Sequence, residues 1–125
     1  MQLTANFKLE EFKCKDGAGV PDAIFVNVQE LANNLQVLRE EIDKPITIIS
    51  GYRTPEYNQQ CGGTQLSQHL TANAGDLKVS GMSTDDLRDT IIALIDAGKM
   101  KQGGVGRYDT FVHYDIRGTK ARWSA

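Results

Sequence analysis

The chain contains only two histidines, His69 and His113, and the stretch SQHLTANAGD (67–76) sets the first of them beside Ser67, Gln68, Asn73 and Asp76. Taken alone this is a polar turn, whose histidine needs nothing more than a hydrogen-bond partner. Two neighbours point further. Asp76 opens the apolar segment Leu77-Lys78-Val79, where a carboxylate must face either solvent or a partner. His113 lies between Val112 and Tyr114 in a run of strand formers, where burial is expected and both ring nitrogens need partners. Two imidazoles and a carboxylate would give Zn²⁺ three protein ligands and leave a fourth position open, as catalytic rather than structural zinc sites do. His113 stands far along the chain from Asp76, so spacing leaves both readings open, a plain turn and half of a metal site.

Such residues need a scaffold. Val28, Leu31, Leu35, Leu38 and Ile42 recur at steps of three and four, which predicts a helix with Gln29, Asn33, Arg39 and Glu40 toward solvent. Asp43-Lys44-Pro45 ends it, and ITIIS (46–50) predicts a short buried strand. Thr54-Pro55-Glu56 is a helix start, a hydroxyl cap followed by proline where no backbone donor is missed, and Gly62-Gly63 stops that helix. Ser83 opens another, with Asp85 and Asp86 favoured in the first turn by the helix dipole. Leu87, Ile91, Leu94 and Ile95 form its apolar face, and Gly98 ends it.

The segment GGVGRYDTFVHYDIRG (103–118) predicts two antiparallel strands. Alternation in the second puts Phe111, His113, Asp115 and Arg117 on one face. Gly103-Gly104-Val105-Gly106 lacks the Lys-Ser/Thr that completes a phosphate loop and reads as a turn. The mixed order and short connections predict an α+β fold, a small, largely antiparallel sheet with flanking helices, forming one domain over residues 1–125.

Bulk properties narrow the function classes. The chain has 125 residues, 40% of them apolar and 24% charged, with a formal net charge of −2. That balance gives no electrostatic case for nucleic acid or an anionic membrane. Arg117, Lys120 and Arg122 read as a solvated edge, and Trp123 as the cover of a core edge or of a cleft rim, the core edge being preferred. No apolar run approaches the ~20 residues of a membrane helix. The opening MQLTANFKLEEF has no signal-peptide pattern, so the chain is expected to be made in the cytoplasm and to reach any outer target by another route. Cys14 and Cys61 form no CxxC pair and are expected as reduced thiols. A monomer is expected.

The spaced motifs together carry a resemblance. Ser67, His69, Ala74 and Asp76 match the SxHxxGxAxD pattern of the M15 family of zinc metallopeptidases. Ser50-Gly51-Tyr52-Arg53, with Asn58 and Gly62-Gly63 following, is similar to that family's approach to the motif. His113-Tyr114-Asp115, followed by Arg117-Gly118 and Ala121-Arg122-Trp123, resembles the C-terminal signature of an HxD subgroup, and FKLEEFKCKDG resembles its opening.

The resemblance implies a hedgehog/DD-peptidase type of fold and one Zn²⁺ held by His69, Asp76 and His113. It implies a substrate in the peptide stems of bacterial peptidoglycan, cut as an L-Ala-D-Glu endopeptidase or a D-Ala-D-Ala carboxypeptidase. Arg53 would bind a substrate carboxylate or the developing oxyanion, and a planar guanidinium suits both tasks. Ser67 and Gln68 would orient His69 or line the cleft.

Two positions depart from the family pattern. Its glycine between histidine and aspartate is Ala72 here, a mild change if the backbone there has negative φ. The acid found in many members three residues before the last histidine is Thr110 here, which cannot accept a proton at neutral pH. Asp115 and Asp109 are then the candidates for the general base, with Asp115 preferred because it shares the strand face of His113. The other role open to Asp115 is to support the site from behind or to pair with Arg117 or Arg53. The missing acid also keeps open a non-catalytic zinc-binding module of a phage or cell-wall assembly.

Overall fold

In the computed structural model, which describes residues 1–125, the apolar stripe becomes helix α1 (Phe25–Ile42), burying Val28, Leu31, Ala32, Leu35 and Leu38. Asp43 ends it in the left-handed conformation at φ 51°, its N–H bonded to the Arg39 carbonyl, and Pro45 prevents continuation. Strand β1 is Thr47–Ser50. Thr54 caps helix α2 (Pro55–Gln60), its hydroxyl accepting the Tyr57 N–H at 3.2 Å. Strand β2 (Ala74–Lys78) leads to helix α3 (Thr84–Asp96), capped by Ser83 through the Asp86 N–H at 3.0 Å. Gly98, at φ 74°, follows its end. The last third supplies β3 (Gly104–Arg107), β4 (Val112–Asp115) and β5 (Ala121–Ser124).

The five strands form one sheet in the order β1-β2-β4-β3-β5, antiparallel at every pairing except β3 with β5. Its two faces have different roles. Leu77, Val105, Val112 and Tyr114 join the hydrophobic core with the apolar faces of α1 and α3. A Cβ placed on Gly75 would lie 3.9 Å from the Leu31 and Leu35 side chains, so this is the face that α1 covers. Alternation turns Asp76, His113 and Asp115 to the other face. The fold is the α+β arrangement expected.

Three local expectations change. ITIIS is an edge strand paired only with β2, so Ile48 is buried while Thr47 is exposed. Gly104 and Gly106 belong to strand β3 and not to a turn. Strand β5 had no sequence signal, because four residues, ARWS, carry too short an alternation to read.

Leu35 is fully buried, whereas Val26 on the same helix is 71% exposed. Leu35→Ala is expected to cost about 2–5 kcal/mol and Val26→Ala to stay within about 0.5 kcal/mol, as read from urea unfolding midpoints.

Candidate metal centre

The pairing of β2 with β4 sets Asp76 opposite His113. The register continues across the whole sheet, with Ser50 of β1 opposite Asp76, Gly106 of β3 opposite His113 and Trp123 of β5 opposite Gly106. Residues in such a row project from one face and lie within reach of one another. His69 arrives from the short 3₁₀ turn Gln68–Thr71 that precedes β2. The Ser67 hydroxyl caps that turn by accepting the His69 N–H at 3.2 Å. Ala72 redirects the chain into β2 at φ 59°, so the left-handed conformation suited to the family's glycine is kept here by an alanine, and the change is not the mild one that negative φ would make it.

The three side chains converge and are all buried. Asp76 Oδ1 lies 3.4 Å from His69 Nε2 and 3.1 Å from His113 Nδ1. One donor atom from each residue falls within 4.8 Å of the others, so the cluster could hold a metal ion. Each ring has its second nitrogen engaged elsewhere. His69 Nδ1–H donates to the Gly51 carbonyl at 2.7 Å, and His113 Nε2–H donates to Asp115 Oδ2 at 2.7 Å. Outer hydrogen bonds of this kind decide which nitrogen a histidine offers to an ion. Gly51 is itself fixed against the N-terminal segment, since a Cβ there would meet the Phe12 carbonyl oxygen at 2.8 Å.

Electrostatics bind the cluster together. Burial works against the charged form of Asp76, but hydrogen bonds from His113 and His69 outweigh it and hold the carboxyl well below its usual range. Burial likewise opposes a charged His113, yet hydrogen bonds to Asp115 and Asp76 prevail and raise its pKa. Without a cation the site therefore holds a proton on His113 more tightly than an ordinary imidazole would, and a divalent ion has to displace it.

The cluster forms the floor of an open cleft of about 600 Å³. On the β1 side, Arg53 donates from Nε to Ser50 Oγ at 3.1 Å, from Nη1 to Asn58 Oδ1 at 3.3 Å and from Nη2 to Asp76 Oδ2 at 3.4 Å. Asn58, itself buried, donates to the Thr64 carbonyl at 2.8 Å and so ties α2 to the following loop. On the β5 side stands an aromatic wall. Tyr108 and Phe111 stack at 4.5 Å, and the Trp123 indole N–H donates to the Tyr108 hydroxyl at 3.0 Å. Trp123 thus lines the cleft, the second of the two places expected for it, and not a core edge. Ser67 and Gln68 also line the cleft.

The two carboxylates expected as candidate bases lie elsewhere. Asp115 has no exposed surface and sits across the His113 ring from Asp76, away from the cluster's open side. Its oxygens accept from the Gly104 N–H at 2.9 Å and from Arg117 Nε and Nη2 at 2.9 and 2.7 Å. Asp109 is 88% exposed, pairs with Arg107 at 3.3 Å and lines a separate hollow with Thr110 and Leu77. Neither lines the cleft, where Asp76 is the sole carboxylate. Arg117, expected in a solvated edge, is bound to Asp115. Arg122 is bound to the Gly103 carbonyl at 2.6 Å. Sequence reasoning also missed Gly104 and Gly106, although their spacing of two matches that of His113 and Asp115.

A family model described as Peptidase M15 matches residues 5–115, a span that includes Arg53, all three clustered donors and Asp115. No curated protein matches the chain.

Calorimetric titration with zinc is expected to give one ion per chain, and Asp76→Asn to abolish that binding. Zinc at 100 times its dissociation constant should raise folding stability by about 2.7 kcal/mol, visible as a higher melting temperature. Since His113 must lose a proton that its surroundings favour, affinity should fall as pH is lowered, beginning above the ordinary histidine value of ~6.5. An affinity flat from pH 8 to pH 6 would contradict this.

Proposed function

The chain belongs to the peptidase M15 family, and from that premise we propose that it is a zinc-dependent peptidase that cuts the peptide stems of bacterial peptidoglycan. The observation that carries the reading is the buried His69–Asp76–His113 triad at the floor of an open cleft, with the Arg53 guanidinium beside it. The donor set fits zinc: two imidazoles whose second nitrogens are already bonded, and one carboxylate. Zinc bound there would polarise a peptide carbonyl and make water a usable nucleophile near neutral pH.

The chain's own residues supply the rest. Arg53 is braced by Ser50, Asn58 and Asp76, so its orientation is set before substrate arrives. Its remaining N–H groups suit a substrate carboxylate or an oxygen gaining negative charge, and a braced donor loses little reorganisation energy on reaction. The Tyr108–Phe111–Trp123 wall offers an apolar surface against which a peptide can lie and exclude water. Gln68 and the Ser67 hydroxyl are the polar groups available to its backbone. The bond cut would be L-Ala-D-Glu or D-Ala-D-Ala, the pair that the family resemblance implies.

A second reading is a module that binds zinc and the wall peptide without cutting it. It is favoured by one observation, that Asp76 is the only carboxylate lining the cleft. A zinc ligand cannot also serve as a free general base, and Thr110 offers no substitute.

Isolated peptidoglycan incubated with the zinc-loaded protein should release fragments with new amino termini, and a chelator should stop their release. Arg53→Ala should slow the release by about 10²-fold or more. The identity of the new termini separates the endopeptidase from the carboxypeptidase. Stoichiometric zinc with no new termini on any wall chemotype would establish the binding module and exclude the enzyme.

A further inference from the structure

Asp115 is fully buried, accepts five hydrogen bonds and does not line the cleft. Three N–H groups converge on Oδ1: Gly104 N at 2.9 Å, Arg117 N at 3.1 Å and Arg117 Nε at 2.9 Å. Oδ2 accepts from Arg117 Nη2 and from His113 Nε2, each at 2.7 Å. Arg117 is held in turn over the Trp123 ring, its guanidinium carbon 5.6 Å from the ring centroid. Resting on the zinc reading above, the geometry points to Asp115 as a positioning residue. Clamped by Arg117 and β3, it keeps the His113 proton on Nε2 and so obliges Nδ1 to face the ion.

The reasoning is one of donors and acceptors. A carboxylate surrounded by a guanidinium and two backbone N–H groups can only accept from His113, so the imidazole proton stays on Nε2. With an ion bound the imidazole is neutral and carries one N–H, so Nδ1, on the side of Asp76 and His69, is left with its lone pair for the metal. His69 achieves the same end with the opposite nitrogen, through the backbone carbonyl of Gly51, which no side-chain substitution can remove. His113 sits mid-sheet, where the neighbouring backbone carbonyls are committed to strand pairing, so a side chain has to supply the acceptor.

The clamp also explains the glycine run. A Cβ on Gly104 would overlap Asp115 Oδ2, and one on Gly106 would overlap the Trp123 indole. These glycines leave the space in which the carboxylate and the indole lie against β3. Their φ angles are not in the left-handed region, so room, and not backbone freedom, is what they provide.

Asn is the discriminating replacement. Its amide oxygen would take the Oδ1 position, where three N–H groups converge, and its NH₂ would face His113 Nε2. That nitrogen would then have to accept, moving the imidazole proton to Nδ1, the side where the ion belongs. A change of nearly equal size would thus present the wrong nitrogen to the metal.

The test uses the full chain. Zinc affinity is measured by competition with a chelating dye for the wild type, Asp115→Asn, Arg117→Gln and Gly104→Ala, with metal-free melting curves to verify folding. Nitrogen-15 spectra of the imidazoles are recorded on the zinc-loaded forms. In the wild type, His113 should show Nε2 protonated and Nδ1 bound to metal, and Asp115→Asn should weaken zinc by about 10–100-fold. Gly104→Ala and Arg117→Gln should weaken it in the same direction, and they decide the matter should Asp115→Asn not fold. A merely structural role would lower the melting temperature and leave the imidazole signals unmoved. Wild-type zinc binding with undiminished folded variants, or coordination of His113 through Nε2, overturns this inference alone. No zinc in the wild type overturns the metal-centre reading and this inference with it.

Discussion

Everything in the site depends on one pairing, Asp76 of β2 opposite His113 of β4. Side chains on a strand alternate, so a slip of one residue in either strand would send its member of the pair into the core and bring Leu77 or Val112 to the cleft. The register is held because the same alternation places Leu77, Val112 and Tyr114 against the helices. The apolar residues that stabilise the fold and the polar residues that form the cluster are interleaved on the same strands. Fixing one set fixes the other. The row extends to Ser50, which braces Arg53, and to Trp123, which closes the far wall, so the two edge strands bear on the cleft formed around the central pair.

Holding two imidazoles and a carboxylate out of water would be costly if any of their polar atoms lacked a partner. None does: no buried side-chain nitrogen or oxygen in the protein is without a hydrogen bond. The partners come from different layers. Gly51 is pinned by the N-terminal segment at Phe12, and Asp115 is pinned by β3 and by Arg117. The N-terminal segment and the C-terminal strands therefore bear on the same cluster, each through one histidine. This accounts for glycines at 51, 104 and 106, each placed where another group must come close.

The same packing separates two roles that a sequence reading merges. HxD on a strand puts histidine and aspartate on one face, which is consistent with an acid and a ligand acting side by side. In the fold, Asp115 lies behind the histidine and is saturated by donors, while the cleft in front holds no carboxylate except Asp76. The open side presents the His69–Asp76–His113 donors and the Arg53 guanidinium.

The elements of the fold were legible wherever the signal was local. The i, i+3, i+4 stripes of α1 and α3, the caps at Thr54 and Ser83 and the stop at Gly98 depend on neighbours a turn away, and the sequence displays those neighbours. His69, Asp76 and His113 were legible as chemistry by residue type, and as a group through the family motif. Their convergence, and the direction each ring nitrogen takes, was not. Asp115, Asp109 and Trp123 show why. Whether a carboxylate faces an ion or an arginine, and whether an indole covers the core or a cleft, depends on strand order and on which backbone lies alongside. Those are contacts between residues distant in the chain, and only the closed sheet brings them together.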